Sequence, residues 1–82
     1  MVKNITYAPK FQKNFKKLAS NYAERVKKLI EKIITDPEVG KPMQYDRKGT
    51  REVYLKPFRL SYAYDKTTDH LFFLEVYHKD EQ

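Results

Sequence analysis

Lys56, Arg59, Tyr77 and His78 carry side chains suited to work on a phosphodiester, and all four lie near the C-terminal end of an 82-residue chain. An RNA strand cut by its own 2′-hydroxyl needs a base for the 2′ proton, a cation for the crowded phosphate and an acid for the 5′ leaving oxygen. Arginine suits the second role, because its planar fork meets phosphate oxygens bidentately and stays charged. Histidine titrates near neutrality and serves as acid or base. Lysine and tyrosine do so only where neighbouring cations or burial lower their pKa. Tyr54 offers a ring on which an unpaired base can stack. Arg47, Lys48, Arg51 and Lys79 add cations, and all five are candidate RNA contacts. Each residue also has a plainer role open to it. Arg59 can pair with Glu75 across a sheet, Tyr77 can cap a sheet edge, and Tyr54 can pack along its strand. Lys56 can be a turn residue beside Pro57, and His78 an ordinary surface residue.

Other chemistries find little footing. The two glycines, Gly40 and Gly49, are isolated, so no phosphate-cradling glycine loop exists. Without cysteine there is no disulfide, thiolate site or thiol nucleophile. His70 and His78 have no metal-ligand spacing to carboxylates. Ser61, His78 and Asp80 could form a triad only formally, since no nucleophile elbow carries the serine. No metal and no cofactor is expected.

The elements that must position these residues read off the periodicity. Val2–Tyr7 reads as a short strand with Ile5 and Tyr7 on one face. Pro9 opens a helix, Phe11, Phe15 and Leu18 follow at helical spacing, and the helix ends near Ala19. Asn21 and Glu24 resemble a capping box for a second helix. Its apolar stripe is Tyr22, Val26, Leu29, Ile30, Ile33 and Ile34, and Asp36-Pro37 stops it. The short connection makes the two helices an antiparallel hairpin. Val39 to Lys48 reads as a loop or short edge segment. After Gly49 the period becomes two, giving strands over Arg51–Leu55, Phe58–Asp65 and Leu71–Tyr77, joined by short turns as an antiparallel meander. The expected fold is α+β, in the order β-α-α-β-β-β, an antiparallel sheet with the helical hairpin on one face. Alternation places Val53, Leu55, Leu60, Tyr62, Phe72, Leu74 and Val76 against the helices. It leaves Glu52, Tyr54, Lys56, Arg59, Ser61, Glu75 and Tyr77 on the open face.

Eighty-two residues make one domain, residues 1–82, with a modest core. The net charge of +6 is concentrated in residues 1–33, which hold nine lysines and arginines against two glutamates. Such a surface attracts polyanions. No apolar run reaches the roughly 20 residues a membrane-spanning helix needs, and the N-terminus lacks a signal-peptide core. A cytoplasmic protein without a membrane partner is expected.

The element order, the segment Phe58-Arg59-Leu60-Ser61-Tyr62-Ala63-Tyr64-Asp65 and the ending Val76-Tyr77-His78-Lys79-Asp80 resemble the RelE/ParE superfamily of toxins from type II toxin–antitoxin systems. The resemblance covers nearly the whole chain. It implies a ribosome-dependent endoribonuclease that cuts mRNA in the A site without a metal, halting translation. Arg59 matches the arginine that contacts the scissile phosphate, and Lys56 is the nearest match to the basic residues of the preceding strand. Tyr77-His78 resembles the ending of the YoeB-like branch, and His78 or Lys56 would act as base or acid. That branch also has a glutamate in a Gly-Lys-Pro-Glu segment. Here Gly40-Lys41-Pro42 leads to Met43, and Lys79 stands where the branch ends in a tyrosine. The implied partners are the ribosome with its RNA, mRNA and a cognate acidic antitoxin. Two other readings stay open: a ParE-like inhibitor of DNA gyrase, and a catalytically degenerate antitoxin-binding module.

Overall fold

A computed structural model of the chain describes residues 2–81. The strands are β1 (Asn4–Tyr7), β2 (Lys41–Pro42), β3 (Arg51–Leu55), β4 (Phe58–Asp65) and β5 (His70–His78). The helices are α1 (Pro9–Lys16) and α2 (Ser20–Thr35). A 3-10 turn covers Tyr45–Arg47 and another Lys79–Glu81. The five strands form one sheet in the order β1-β5-β4-β3-β2.

The expected antiparallel meander is β3-β4-β5, but the sheet as a whole is mixed. β1 joins the far edge parallel to β5, Asn4 opposite His70 and Tyr7 opposite Phe73. This follows from the chain path: β1 leaves into α1 instead of a tight hairpin turn, and parallel neighbours need such a crossover. Pro9 supplies the pre-set φ at the start of α1. Phe11 and Phe15 stack at 6.1 Å between ring centroids, and Phe11 is buried. α2 starts two residues earlier than its sequence suggests. Ala19 takes the extended cap position, Asn21 falls inside the first turn, and no side chain caps the end. The Asn21–Glu24 capping box is therefore not formed. Val26, Ile30 and Ile33 on α2 close over Leu60, Tyr62, Leu71, Phe73 and Val76 of the sheet to form the core.

A bulge in β5 corrects one expectation about faces. Ser61 pairs with Glu75, yet Tyr62 pairs with Phe73, so Leu74 has no opposite number. The extra residue reverses the alternation beyond it. Val76 points to the core at one end of β5, and Phe73 and Leu71 do so at the other, where strict alternation would have turned Leu74 and Phe72 inward. Phe73 is fully buried and contacts Tyr7, Phe11 and Tyr62 at centroid distances of 5.2, 5.7 and 6.2 Å. Phe72 sits on the opposite side, its ring stacked 3.9 Å from that of His70.

The segment between α2 and β3 is tied down by two polar side chains from the core side. The buried Tyr62 hydroxyl donates to the Pro37 carbonyl and accepts from the Gly40 N–H, both at 2.8 Å. Arg51 donates to the carbonyls of Gly40 at 2.7 Å and Glu38 at 3.0 Å. Gly40 is required by close approach, because a Cβ there would stand 2.7 Å from the Tyr62 hydroxyl. Gly40→Ala and Tyr62→Phe should each lower unfolding free energy in urea by about 1–3 kcal/mol, by overpacking in the first case and two lost hydrogen bonds in the second.

At the opposite edge Asp69 accepts from the Tyr64 hydroxyl at 2.6 Å and from the Lys3 N–H at 3.1 Å. The Tyr64 hydrogen bond, the largest cause, holds the Asp69 carboxyl below its ordinary value. A depressed carboxyl stabilises the fold above its unfolded pKa of about 3.9, and that contribution vanishes as pH falls through the lower folded value. Wild type should therefore exceed Tyr64→Phe in stability by a constant margin near neutral pH. The margin should shrink below about pH 4 in denaturation series taken at stepped pH.

Candidate functional site

The face of the sheet away from the core carries two rows of side chains fixed by hairpin register. Tyr54, Arg59 and Tyr77 are paired across β3, β4 and β5. Lys41, Glu52, Ser61 and Glu75 form the adjacent row, extended by the short β2. Lys41, Met43, Glu52, Tyr54 and Arg59 enclose a groove of about 300 Å³.

Glu52 organises this face. Its side chain is only 7% exposed, and its carboxylate accepts from three groups. Arg59 Nη1 donates to Oε1 at 2.9 Å, and the Tyr77 hydroxyl donates to Oε2 at 2.7 Å. Arg47 Nη1 reaches Oε2 at 3.0 Å and also donates to the Tyr77 oxygen at 3.3 Å. Such a set is what a buried carboxylate requires, since desolvating a charge is costly without paired donors. The Tyr77 hydroxyl, more than Glu52, raises the Arg47 pKa further above its already high ordinary value. Arg59 thus pairs with Glu52 and not with Glu75, which meets Lys10 of α1 at 3.2 Å.

Arg59 is clamped but not saturated. Its Nε is buried and has no hydrogen-bond partner among the described residues. Its guanidinium carbon lies 5.7 Å from the centroid of the Tyr54 ring, and Lys79 Nζ lies 5.9 Å from the same ring. Lys79 is carried there by the end of β5, where its N–H donates to the Pro57 carbonyl at 2.9 Å. The half-exposed Tyr54 ring therefore has two cations on it. The arrangement can bind an anion at Arg59 and present an aromatic surface beside it.

The other candidate residues are dispersed. His78 does not join the Arg59 cluster. One residue beyond Tyr77, it lies on the core side, edge-on to Phe58 at 5.6 Å, where it helps line a separate cleft of about 410 Å³ with Leu18 and Tyr22. Its Nδ1 accepts from the Asp80 N–H at 3.2 Å. Arg51 is on the core side too, its guanidinium bound to loop carbonyls. Lys56 is exposed in the β3–β4 turn, ahead of a cis bond to Pro57. Lys48 is exposed in the loop beside Arg47. Among the described residues no three His, Cys, Asp or Glu side chains are grouped to hold a metal ion. No helix among them is long and apolar enough to cross a membrane.

Glu52 was legible only as one member of the open face. Counting outward from the β3–β4 turn pairs Tyr54 with Arg59 and sets Glu52 diagonal to that arginine, which is the signal that identifies the ion pair. Its burial had no such signal, because Arg47 arrives from a loop. Glu52→Ala should lower stability by about 1–3 kcal/mol in urea unfolding, since it strands three donors at once. Arg47→Ala, at a half-exposed residue, should lower it by well under 1 kcal/mol.

Residues 5–82 match the family model described as the ParE toxin of a type II toxin–antitoxin system. No curated protein sequence matches the chain. Among solved structures it is similar to a chain of the RelBE2 toxin–antitoxin complex of Mycobacterium tuberculosis. The TM-score is 0.84 at 21% identity, covering 95% of this chain and 99% of that one. A chain of the intact E. coli RelBE toxin–antitoxin complex gives 0.76 at 19% identity, covering 89% and 92%. YafQ from E. coli gives 0.77 at 23% identity, covering 95% and 94%. At these identities the likeness concerns the fold.

Proposed function

Because the chain belongs to the ParE toxin family of the RelE/ParE superfamily, and is thus the toxin of a type II toxin–antitoxin system, we propose that it acts as an endoribonuclease on ribosome-bound mRNA. The observation that carries this reading is Arg59. It stands on an open groove, oriented by Glu52, with Tyr54 above it and Lys41 and Lys79 near. Phosphoryl transfer is accelerated chiefly by fixed charge aimed at the developing oxyanions. An arginine held by one Nη on a buried carboxylate keeps other N–H groups for a phosphate, and its direction is set before substrate arrives.

In this reading the 2′-hydroxyl releases its proton to solvent as its oxygen attacks the adjacent phosphorus, a 2′,3′-cyclic phosphate forms, and the bond to the 5′ oxygen breaks as that oxygen takes up a proton from solvent. Arg59 carries the phosphate charge and Tyr54 supports a neighbouring base. Tyr77 and Arg47 position Glu52, and through it Arg59. Lys79 adds charge at the groove, where His78 does not reach. The residues invoked require no metal or cofactor. The partner that restrains the toxin would be an acidic antitoxin, as the complexes formed by the similar toxins suggest.

The matched family is that of the ParE toxin, and the resemblance to ParE-like toxins implies a second reading, in which the chain binds and inhibits DNA gyrase. Purified protein added to a cell-free translation system, with mRNA ends mapped by primer extension, separates the two. New cuts in the A site should appear with wild type and fall at least 100-fold with Arg59→Ala, the order expected for removing a transition-state charge. Intact mRNA together with blocked gyrase supercoiling would instead establish the second reading. Inactivity in both assays would leave a degenerate antitoxin-binding module.

A further inference from the structure

Beside the Arg59 groove the chain exposes an aromatic residue that the clamp does not use. Tyr45 is 89% exposed, the most exposed of the large hydrophobic side chains described. Its backbone lies in the left-handed region at φ +58°, which is a genuine outlier for a bulky side chain and tends to mark functional sites. The strain is imposed by a compact loop: Lys48 N–H donates to the Tyr45 carbonyl at 3.0 Å, and Thr50 closes on Arg47. Among the described residues, no hydrogen bond or ring contact engages the Tyr45 side chain. The fold thus holds a ring in water, on a strained backbone, where an apolar core gains nothing from it.

Its surroundings indicate the ligand. A second depression of about 360 Å³ is lined by Lys41, Pro42, Met43, Gln44 and Tyr45. It shares Lys41 and Met43 with the Arg59 groove, so the two form one trough. That trough has Tyr54 with Arg59 toward one end and Tyr45 toward the other, with Lys41 between them. Arg47 and Lys48 come two and three residues after Tyr45 in the loop, beyond Asp46. Two exposed aromatic rings joined by a cationic floor are the recognition elements of unpaired nucleic acid, in which bases stack while phosphates track the charge.

We infer that Tyr45 is a stacking platform for an unpaired nucleobase of the RNA whose phosphate lies at Arg59. This rests on the ribonuclease reading and assigns that site a second nucleotide position. Tyr45 does not touch the reacting atoms; it determines which nucleotide is seated.

The test uses a single-stranded RNA hexamer, 2′-O-methylated to prevent cleavage, with 2-aminopurine placed at each position in turn. Binding is read by anisotropy and stacking by 2-aminopurine emission. Wild type should quench the probe strongly at one position, and Tyr45→Phe should keep that quenching. Tyr45→Gly should abolish it and weaken affinity about 10-fold, within the range for one stacked base. Its urea midpoint should be unchanged or higher, because glycine accepts the left-handed backbone. Loss of binding with a preserved midpoint excludes unfolding as the cause. Wild-type quenching and affinity in Tyr45→Gly, with Arg59→Ala still impaired, would overturn the stacking role and leave the groove reading intact. The same holds if Tyr45→Gly weakens only antitoxin binding. A wild-type protein that fails to bind any hexamer would overturn the stacking role, while the ribonuclease reading stands or falls by the cuts mapped in the translation system.

Discussion

The bulge at Leu74 is the constraint on which the remainder of the molecule depends. β5 is flanked on both sides, by β1 and β4, and must offer apolar side chains to the core along its length. A regular strand running back from Val76 would bury Leu74, Phe72 and His70. The extra residue instead turns Phe73 and Leu71 inward, and Phe73 becomes the meeting point of Tyr7, Phe11 and Tyr62. Beyond the bulge the register is undisturbed, so Tyr77 stays opposite Arg59. One inserted residue lets the two halves of β5 serve different ends, a packed aromatic core at one and a polar cluster at the other.

The polar cluster shows how a small sheet keeps charge in place. A buried charge cluster such as Glu52 with its donors contributes little net stability as a whole, since desolvation offsets most of the attraction, although removing one member alone is costly. Its effect is directional. Each oxygen has an assigned donor, and the donors come from β4, β5 and the loop before β3. The loop is therefore attached to the sheet from two sides, by Arg47 on the open face and by Arg51 and Tyr62 on the core face. The groove wall that includes Lys41 and Met43 owes its position to both attachments.

Periodicity made the elements legible: the 3.6 spacing from Phe11 and from Tyr22, then the change to two after Gly49, mark every major helix and strand. The α+β class and the order of elements follow from them, and so do the faces of β3 and β4, whose pairing starts from a tight turn. What stayed hidden had weak local signals. No glycine marks the bulge, so Phe72 and Leu74 read as core. Asn21 and Glu24 have capping chemistry, but Ala19 adopts the cap conformation. In the candidate site, Tyr54, Arg59 and Tyr77 share a face by simple alternation, and the same alternation puts His78 on the other side. The Glu52 clamp could not be read, because one of its donors lies thirty positions from Tyr77 in a segment without periodicity.

The parallel pairing of β1 has a consequence for how the chain comes into being. The groove draws its residues from positions 41 to 79, mostly neighbours across short turns. β1 has its partner residues at His70 to Phe73. A chain synthesised from its N-terminus must hold β1 without a sheet partner until nearly all of it has been made. The edge that completes the sheet is thus translated before every other strand of it and is the last to find its place. Loop closure over some 66 residues, the longest among the described hydrogen bonds, falls on the side of the sheet away from the groove.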